Sequence, residues 1–517
     1  MTESGPLRWL ARAGGANMFA AGVGSGAGVV LALALTHGFS KPVTGTFFAT
    51  TAVFLIIETL SGLGVTTGLS RVLPERVARR ETEDCASVIR AALRPVLLVS
   101  VLLAVALFAA APVIAPHLVG PDNADAARSM LRTLSIFIPV AALNDSLLAA
   151  TRGLRSMRPT VFVENLGRLS AQPIAVIIVA AAGLGPTALV FGWVAPYVLA
   201  LVVNVIWAKA LLRKVGARDT ALVLHGPSAN GARHRELRLE FWHYTTPRAF
   251  ATVVQTALRR SDVVMVAAMT TASQAAIYAT ATRFVTFGIF GVAALQQALS
   301  PLVSKLLAAG NREMAETVYQ TATVWMMCLA WPIYLLSANF ADPLLRLFGD
   351  GYQSGRVVVT ILALAMLFAT ACGPADSVLL MAGRSWLSLW NTSIALTLSI
   401  GLNLVLIPSA GITGAAVTWA IATVVRNILP VVQLRHFERL RPESLVALRI
   451  GILNLVLFGG LPLLARITDL PPLTIGLAGA VAALGYAFLI LGGKTKLMGA
   501  MSLSSALRRP PRQDVMA

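Results

Sequence analysis

Apolar segments long enough to cross a bilayer recur along almost the whole 517-residue chain. A spanning helix needs about 20 mostly apolar residues, because the hydrocarbon layer is about 30 Å thick. Segments of this kind fall near 15–36, 43–64, 95–116, 130–150, 160–182, 187–212, 245–268, 275–297, 317–340, 357–381, 386–407, 413–434, 448–466 and 473–492, about fourteen in all. Within lipid every backbone N–H and C=O must be bonded inside the chain, so long apolar runs of this kind are helices. The expected fold is therefore an all-α polytopic membrane protein. With 56% hydrophobic and 13% charged residues, the composition excludes an ordinary soluble enzyme. The first apolar run lacks a small-residue cleavage site and reads as the first span rather than a removable signal.

The net charge of +19 raises the question of a nucleic-acid partner. Its distribution answers in favour of the membrane. One set of alternate connections holds Arg71, Arg76, Arg79 and Arg80, then Arg152, Arg155 and Arg158, the basic residues of 213–238, and later Arg435, Arg439 and Arg441. That side carries about thirty cations and the other about six, which makes the rich side cytoplasmic by the positive-inside rule. Both termini are expected inside a bacterial-type inner or plasma membrane, with anionic lipid headgroups against the basic face and no nucleic acid. Cys85, Cys328 and Cys372 are too scattered for a disulfide framework. The six histidines have no metal spacing, and no metal or cofactor is expected.

The chain also repeats itself. At an offset of about 230 residues, TFFATTAVF (46–54) meets AIYATATRF (276–284), and GLSRVL meets ALSPLV. NDSLLAATRG meets ADSVLLMAG, bringing Asp145 onto Asp376, and AGLGPTALVFGW meets AGITGAAVTW. The reading is two six-helix lobes, 1–214 and 239–440, in parallel topology about an axis along the membrane normal. A cytoplasmic linker, 215–238, joins them. An extra helix pair (445–495) and a basic tail (496–517), expected to be disordered, follow. Residues 76–94 and 304–317 occupy equivalent places and are expected as short surface helices.

The seventh apolar segment is unusual. It holds Arg248, Arg259, Arg260 and Asp262, and a charge at the centre of a spanning helix costs roughly 2.5–3.5 kcal/mol on insertion scales. Arg248, Thr252, Gln255, Arg259 and Asp262 share one helical face at i, i+4, i+7, i+11 and i+14, with Arg260 off it. That face is expected to line a cavity. Arg283, in the middle of the eighth segment, is either a buried partner of Asp262 or a further cavity cation. One Asp cannot neutralise four arginines, and guanidinium suits phosphate because it donates paired hydrogen bonds.

The first lobe carries Glu58, Glu164, Arg168 and Asp145. Glu164 and Arg168 form an i, i+4 pair that can cancel internally. Glu58 is either paired with a second-lobe arginine or a protonatable coupling group. Asp145 and Asp376, at the ends of equivalent helices, are gate candidates. GVGSGAG (22–28) lies in an apolar span with no strand before it, which points to close helix packing rather than a phosphate loop.

With the repeat and LLRLFGDGYQSGRVVVTILALAMLF (344–368), the sequence resembles the polysaccharide-exporter branch of the multidrug/oligosaccharidyl-lipid/polysaccharide superfamily. That branch contains the O-unit flippases, with the lipid II flippases nearby. The resemblance covers about residues 15–440 and rests on the acid near SDVVMV, the segment YATATRF and the FGDGY turn. It implies two helical bundles with alternating access that move a polyprenyl-diphosphate-linked oligosaccharide outward. By position, Arg283 takes the place of a basic cavity residue and Asp262 that of the seventh-helix acid. The first helix lacks the charged residues that lipid II flippases use, which argues against a peptidoglycan precursor.

The expected function is thus a flippase for cell-surface polysaccharide biosynthesis, not an enzyme. Its partners would be the lipid-linked oligosaccharide, the bilayer and glycan-assembly enzymes. The alternatives are a multidrug cation antiporter of the same superfamily, disfavoured by unpaired cavity arginines, and an integral membrane glycan polymerase or acyltransferase. Short external connections and the lack of an acid/base or nucleophile constellation argue against that enzyme.

Overall fold

The computed structural model describes residues 22–24, 26–216, 231–441, 444–467 and Tyr486. The beginning of the first expected span, most of the 215–238 linker, the second helix of the C-terminal pair and the tail lie outside the described residues. The described chain is helical and contains no strand.

In order, the helices are α1 (Gly22–Gly38), α2 (Lys41–Ser61), α3 (Val65–Ala78), α4 (Cys85–Val119) and α5 (Ala124–Gly153). A π-helical stretch, Thr160–Arg168, leads into α6 (Leu169–Ala181), followed by α7 (Pro186–Val194), α8 (Pro196–Lys214) and α9 (Gly231–Met269). Then come α10 (Ala272–Ala308), α11 (Arg312–Asn339), α12 (Ala341–Arg346), α13 (Arg356–Ala371), α14 (Ala375–Met381) and α15 (Ser385–Gln433). The last are α16 (Leu445–Asn454) and α17 (Leu461–Ile467). Among the described residues, nine helical stretches are long and apolar enough to cross a membrane. The charged helices α9 and α10, of 39 and 37 residues, are also long enough in extent.

Helix boundaries follow local chemistry. Pro186 and Pro196 occupy first positions, where the missing N–H is not needed. The two spans expected at 386–407 and 413–434 form one continuous element, α15, broken at Gly411 with φ 56° and ψ −135°. Only glycine adopts that conformation at little cost. Two expectations are corrected here. Residues 85–94 are the first turns of α4, not a separate surface helix, because Val88, Ile89, Ala92 and Leu93 bury at helical spacing. Residues 304–317 likewise divide between α10 and α11, which meet at a turn where Gly310 has φ 71°.

The chain packs as two compact units. One contains the described residues up to Arg283 together with Arg346–Gly355 and Leu396–Thr418. One of its cores joins α3, α4, α5, α8 and α9 through Leu69, Leu73, Ile89, Leu93, Leu147, Leu212 and Phe241. The other contains Phe284–Leu345, Arg356–Ala395 and the described residues from Trp419 onward. A core there joins α10, α11, α14 and the π-helical stretch after α15 (Leu434–Glu438) through Val303, Val318, Tyr319, Val378, Leu379 and Leu434. The packing boundary does not follow the repeat boundary, because α9 lies against α2, α3 and α4.

Close approach in the first unit depends on glycine at two points of the α2–α3 segment. A Cβ on Gly45 would stand 1.6 Å from the Ala272 carbonyl oxygen. Gly64, with φ 70°, would bring one within 2.7 Å of the Ala249 backbone on α9. Between these two contacts the helices part and leave cavities.

Candidate functional site

A cavity of about 200 Å³ in the first unit is lined by Arg168, Arg260 and Arg283. Gln172 and an aromatic wall of Phe47, Phe48, Trp193 and Tyr197 complete most of its surface, with Gly24 and Gly28 of α1 on another side. The aromatic wall is built edge to face: Trp193 meets Phe47 at 5.8 Å and Tyr197 at 6.2 Å between ring centroids. Such geometry puts positive ring edges against negative ring faces and makes a stiff apolar surface.

The three cations are held differently. Arg168 closes the π-helical stretch, whose wider turns re-aim side chains relative to an α-helix. Its Nε donates to both carboxylate oxygens of Glu164 at 3.1 and 3.0 Å, and its guanidinium lies 4.1 Å from the Tyr197 ring centre. Arg168 therefore enters the cavity already neutralised. Arg283 lies 5.0 Å from the Phe48 ring centre, and its buried Nε has no hydrogen-bond partner among the described residues. Among those residues Arg260 has no ion pair either. The cavity thus holds three guanidiniums and one adjacent carboxylate, an arrangement that attracts an anionic ligand.

The single-face reading of α9 is corrected. Arg260, placed off the charged face by helical spacing, is the residue that lines the cavity, whereas Arg259 beside it is exposed. Gln255 is half-buried and does not line this cavity. The reason is that α9 has neighbours on several sides, so its faces meet different surroundings along its length. Arg248 stacks on Tyr244, with Cζ 3.9 Å from the ring centre. Asp262 is buried and accepts hydrogen bonds from Ser399 Oγ at 3.2 Å and Asn403 Nδ2 at 2.9 Å. Those bonds satisfy Asp262 without Arg283, so the alternative of an Asp262–Arg283 pair is not found.

A second cavity in the same unit, of about 120 Å³, is lined by Glu58 and Asp145 with Ser146, Thr59, Thr252 and Thr256. Glu58 is buried and accepts a bond from Thr59 Oγ at 3.4 Å; no ion pair to an arginine is present among the described residues. Asp145 accepts from Asn144 Nδ2 at 3.3 Å, and Asn144 in turn accepts from Asn204 at 2.8 Å. Asp145 lies inside α5, not at its end, while Asp376 is half-buried in the first turn of α14. The glycines of α1 also depart from uniform close packing. At Gly24 a Cβ would meet Leu169 at 2.9 Å and at Gly38 it would meet Ala180 at 2.5 Å, whereas at Gly26 and Gly28 it would meet open space.

Sequence reasoning passed over Trp193, Tyr197, Tyr244 and Arg71. Aromatic side chains inside an apolar run give no signal of their own, and Arg71 counts there only as a topology charge. Ser399 and Asn403 were more legible, as polar residues one turn apart in an apolar span.

The FGDGY turn packs against the start of α2. Gly349 and Gly351 have φ 102° and 81°, Tyr352 is buried, and Lys41 Nζ lies 5.6 Å from its ring centre. Burial pushes the Tyr352 hydroxyl up to about 12.

Residues 11–307 match the family described as polysaccharide biosynthesis protein, and residues 247–407 match the family described as MatE. No curated protein matches the chain. Among solved structures, the fold is similar to that of the lipid II flippase MurJ in an inward closed conformation. The TM-score is 0.68 at 14% identity, over 92% of this chain and 98% of that one. It is also similar to an inward-facing multidrug resistance MATE family transporter of the MOP superfamily, with TM-score 0.65 at 15% identity over 82% and 94%. An outward-facing transporter of that family gives 0.54 at 15% identity over 86% and 95%.

Proposed function

This chain belongs to the polysaccharide biosynthesis protein family, and we propose that it is a membrane transporter of the MOP superfamily, a flippase for a polyprenyl-diphosphate-linked oligosaccharide. The observation that carries this reading is the cavity with three guanidiniums and one carboxylate. Arg260 and Arg283 hold the diphosphate, assisted by Arg168. The proximal sugars lie against the wall of Phe48, Trp193 and Tyr197, and the prenyl tail stays in lipid. Both termini are cytoplasmic, and export proceeds from the cytoplasmic to the outer leaflet.

No covalent chemistry is needed. A headgroup of two negative charges moving outward across a membrane that is negative inside gains roughly 4.6 kcal/mol per 100 mV when no charge is compensated. The membrane potential is thereby a sufficient driving force for a uniport-like cycle.

The MatE match over 247–407 favours a second reading, a multidrug antiporter. A cavity with unpaired arginines repels cationic drugs, so the flippase reading is preferred. The two are separated in a deletion strain. Arg260→Glu and Arg283→Glu each abolish surface-glycan export while the protein still reaches the membrane, and Arg259→Glu leaves export near normal. Export that survives both cavity reversals, or a strain whose defect is drug sensitivity alone, overturns the proposal.

A further inference from the structure

A second cationic feature of the first unit lies away from the cavity, at the end of α3 and α9 that is densest in basic residues. Tyr244 on α9 holds two guanidiniums: Arg248 Cζ lies 3.9 Å from its ring centre and Arg71 Cζ, from α3, lies 4.2 Å from it. Two groups of that size cannot share one ring face at such distances, so they occupy opposite faces, no more than about 8 Å apart. Stacking engages the face of a guanidinium and leaves its N–H donors in the plane at the edge.

Neither arginine forms an ion pair among the described residues; Glu75, whose charge acts on Arg71, is itself bonded to Arg79. The neighbours do. Arg76 bonds Glu81 at 2.8 Å and Glu240 at 2.6 Å, and Arg79 bonds Glu75 at 2.7 Å. Arg71 is exposed, and Tyr244 and Arg248 are half-buried, so the pair is reachable from outside the protein.

We propose that Arg71, Tyr244 and Arg248 form a docking station for the diphosphate of the lipid-linked substrate, occupied before the cavity. The inference rests on the flippase reading and adds a first stop to its path. Two cations pinned on one ring match a dianion, as a glycosyl diphosphate diester is, better than the single charge of a phospholipid phosphodiester. The spacing supports two separate stops. Arg248 and Arg260 are twelve residues apart on α9, about 18 Å along the axis. Between them Thr252 and Thr256 face the cavity that contains Glu58 and Asp145. That cavity is lined by carboxyl and hydroxyl groups and by no cation, so the headgroup rests on either side of that section and not within it.

The test uses the full-length protein in phosphatidylcholine nanodiscs and a synthetic polyprenyl diphosphate bearing one N-acetylhexosamine, with bound equivalents counted by native mass spectrometry. The wild-type protein binds two equivalents. R71Q/R248Q loses one and fills the other about tenfold more slowly, whereas R260Q/R283Q loses the other and keeps the first. Should the glutamine pair not fold, R71K/R248K retains charge without the planar fork and weakens the first equivalent several-fold. Two equivalents retained at unchanged affinity in both Arg71/Arg248 variants overturn the station. So does displacement of the probe from it by stoichiometric phosphatidylglycerol, which would mark a phospholipid site. Failure of the cavity reading looks different: R260Q/R283Q then keeps both equivalents while R71Q/R248Q still loses one.

Discussion

The two cavities of the first unit share their helices yet differ in lining: guanidiniums and aromatic rings in one, carboxyls and hydroxyls in the other. Helix α2 contributes Phe47, Phe48, Thr51 and Leu55 to the cationic cavity, then Glu58 and Thr59 to the acidic one. Helix α9 contributes Arg260 to the first and Thr252 and Thr256 to the second. On α2 the lining changes between Leu55 and Glu58, about 4.5 Å along the axis. The chemistry that each helix presents to the cavities is therefore set turn by turn and not by the helix as a whole. The cationic cavity also has an aromatic wall, while the acidic one is lined by hydroxyls. On the flippase reading proposed above, the first holds the headgroup and the second lets it pass without stopping.

Filling the cationic cavity tests this contrast with the largest effect. Gly28→Leu places an isobutyl group where a Cβ meets nothing within 4 Å. Binding of a polyprenyl diphosphate glycan falls by more than about tenfold, with the thermal midpoint in detergent unchanged within a few degrees. Unchanged binding would place the headgroup elsewhere.

A smaller effect of opposite sign follows from Glu164→Gln. Arg168 loses its carboxylate partner, and the cavity gains net positive charge. Binding tightens by about fivefold, equivalent to about 1 kcal/mol, as measured by titration in nanodiscs. Weaker binding would mean that the ion pair is needed to aim Arg168 rather than to neutralise it.

The smallest change belongs to the acidic cavity. Glu58→Gln and Asp145→Asn alter headgroup affinity by less than about twofold, because the headgroup does not rest there. A loss comparable with that of Arg283→Gln would merge the two cavities into one site.

Much of the scaffold could be read from the sequence. Spanning-length apolar runs leave the backbone little choice but helix, and the glycine at 411 marks the interruption between two spans. The charged segment stood out because arginine inside an apolar run is costly. What could not be read was which arginine faces inward. Arg259 and Arg260 differ by 100° of helix rotation, and the choice depends on the tertiary neighbours of α9, not on spacing along it. Glu58 presented the same difficulty. Its nearest functional neighbour, Asp145, lies on another helix, and nothing in the intervening sequence indicates that they share a cavity. The Glu164–Arg168 pair was legible, since i, i+4 spacing brings opposite charges together within one helix. The π-helical turn that presents Arg168 to the cavity carries no comparable signature.

The central claim is that Arg260 and Arg283 hold a diphosphate during export. It is tested most directly by flux of a labelled polyprenyl-diphosphate disaccharide across proteoliposomes under an imposed potassium-diffusion potential. The wild-type rate rises with a potential oriented to drive negative charge outward. R260Q/R283Q, reconstituted at equal density, loses flux by about 100-fold or more, the combined effect of two charge-assisted contacts of about 1.5–3 kcal/mol each. Flux in the double variant equal to that of the wild type would contradict the account.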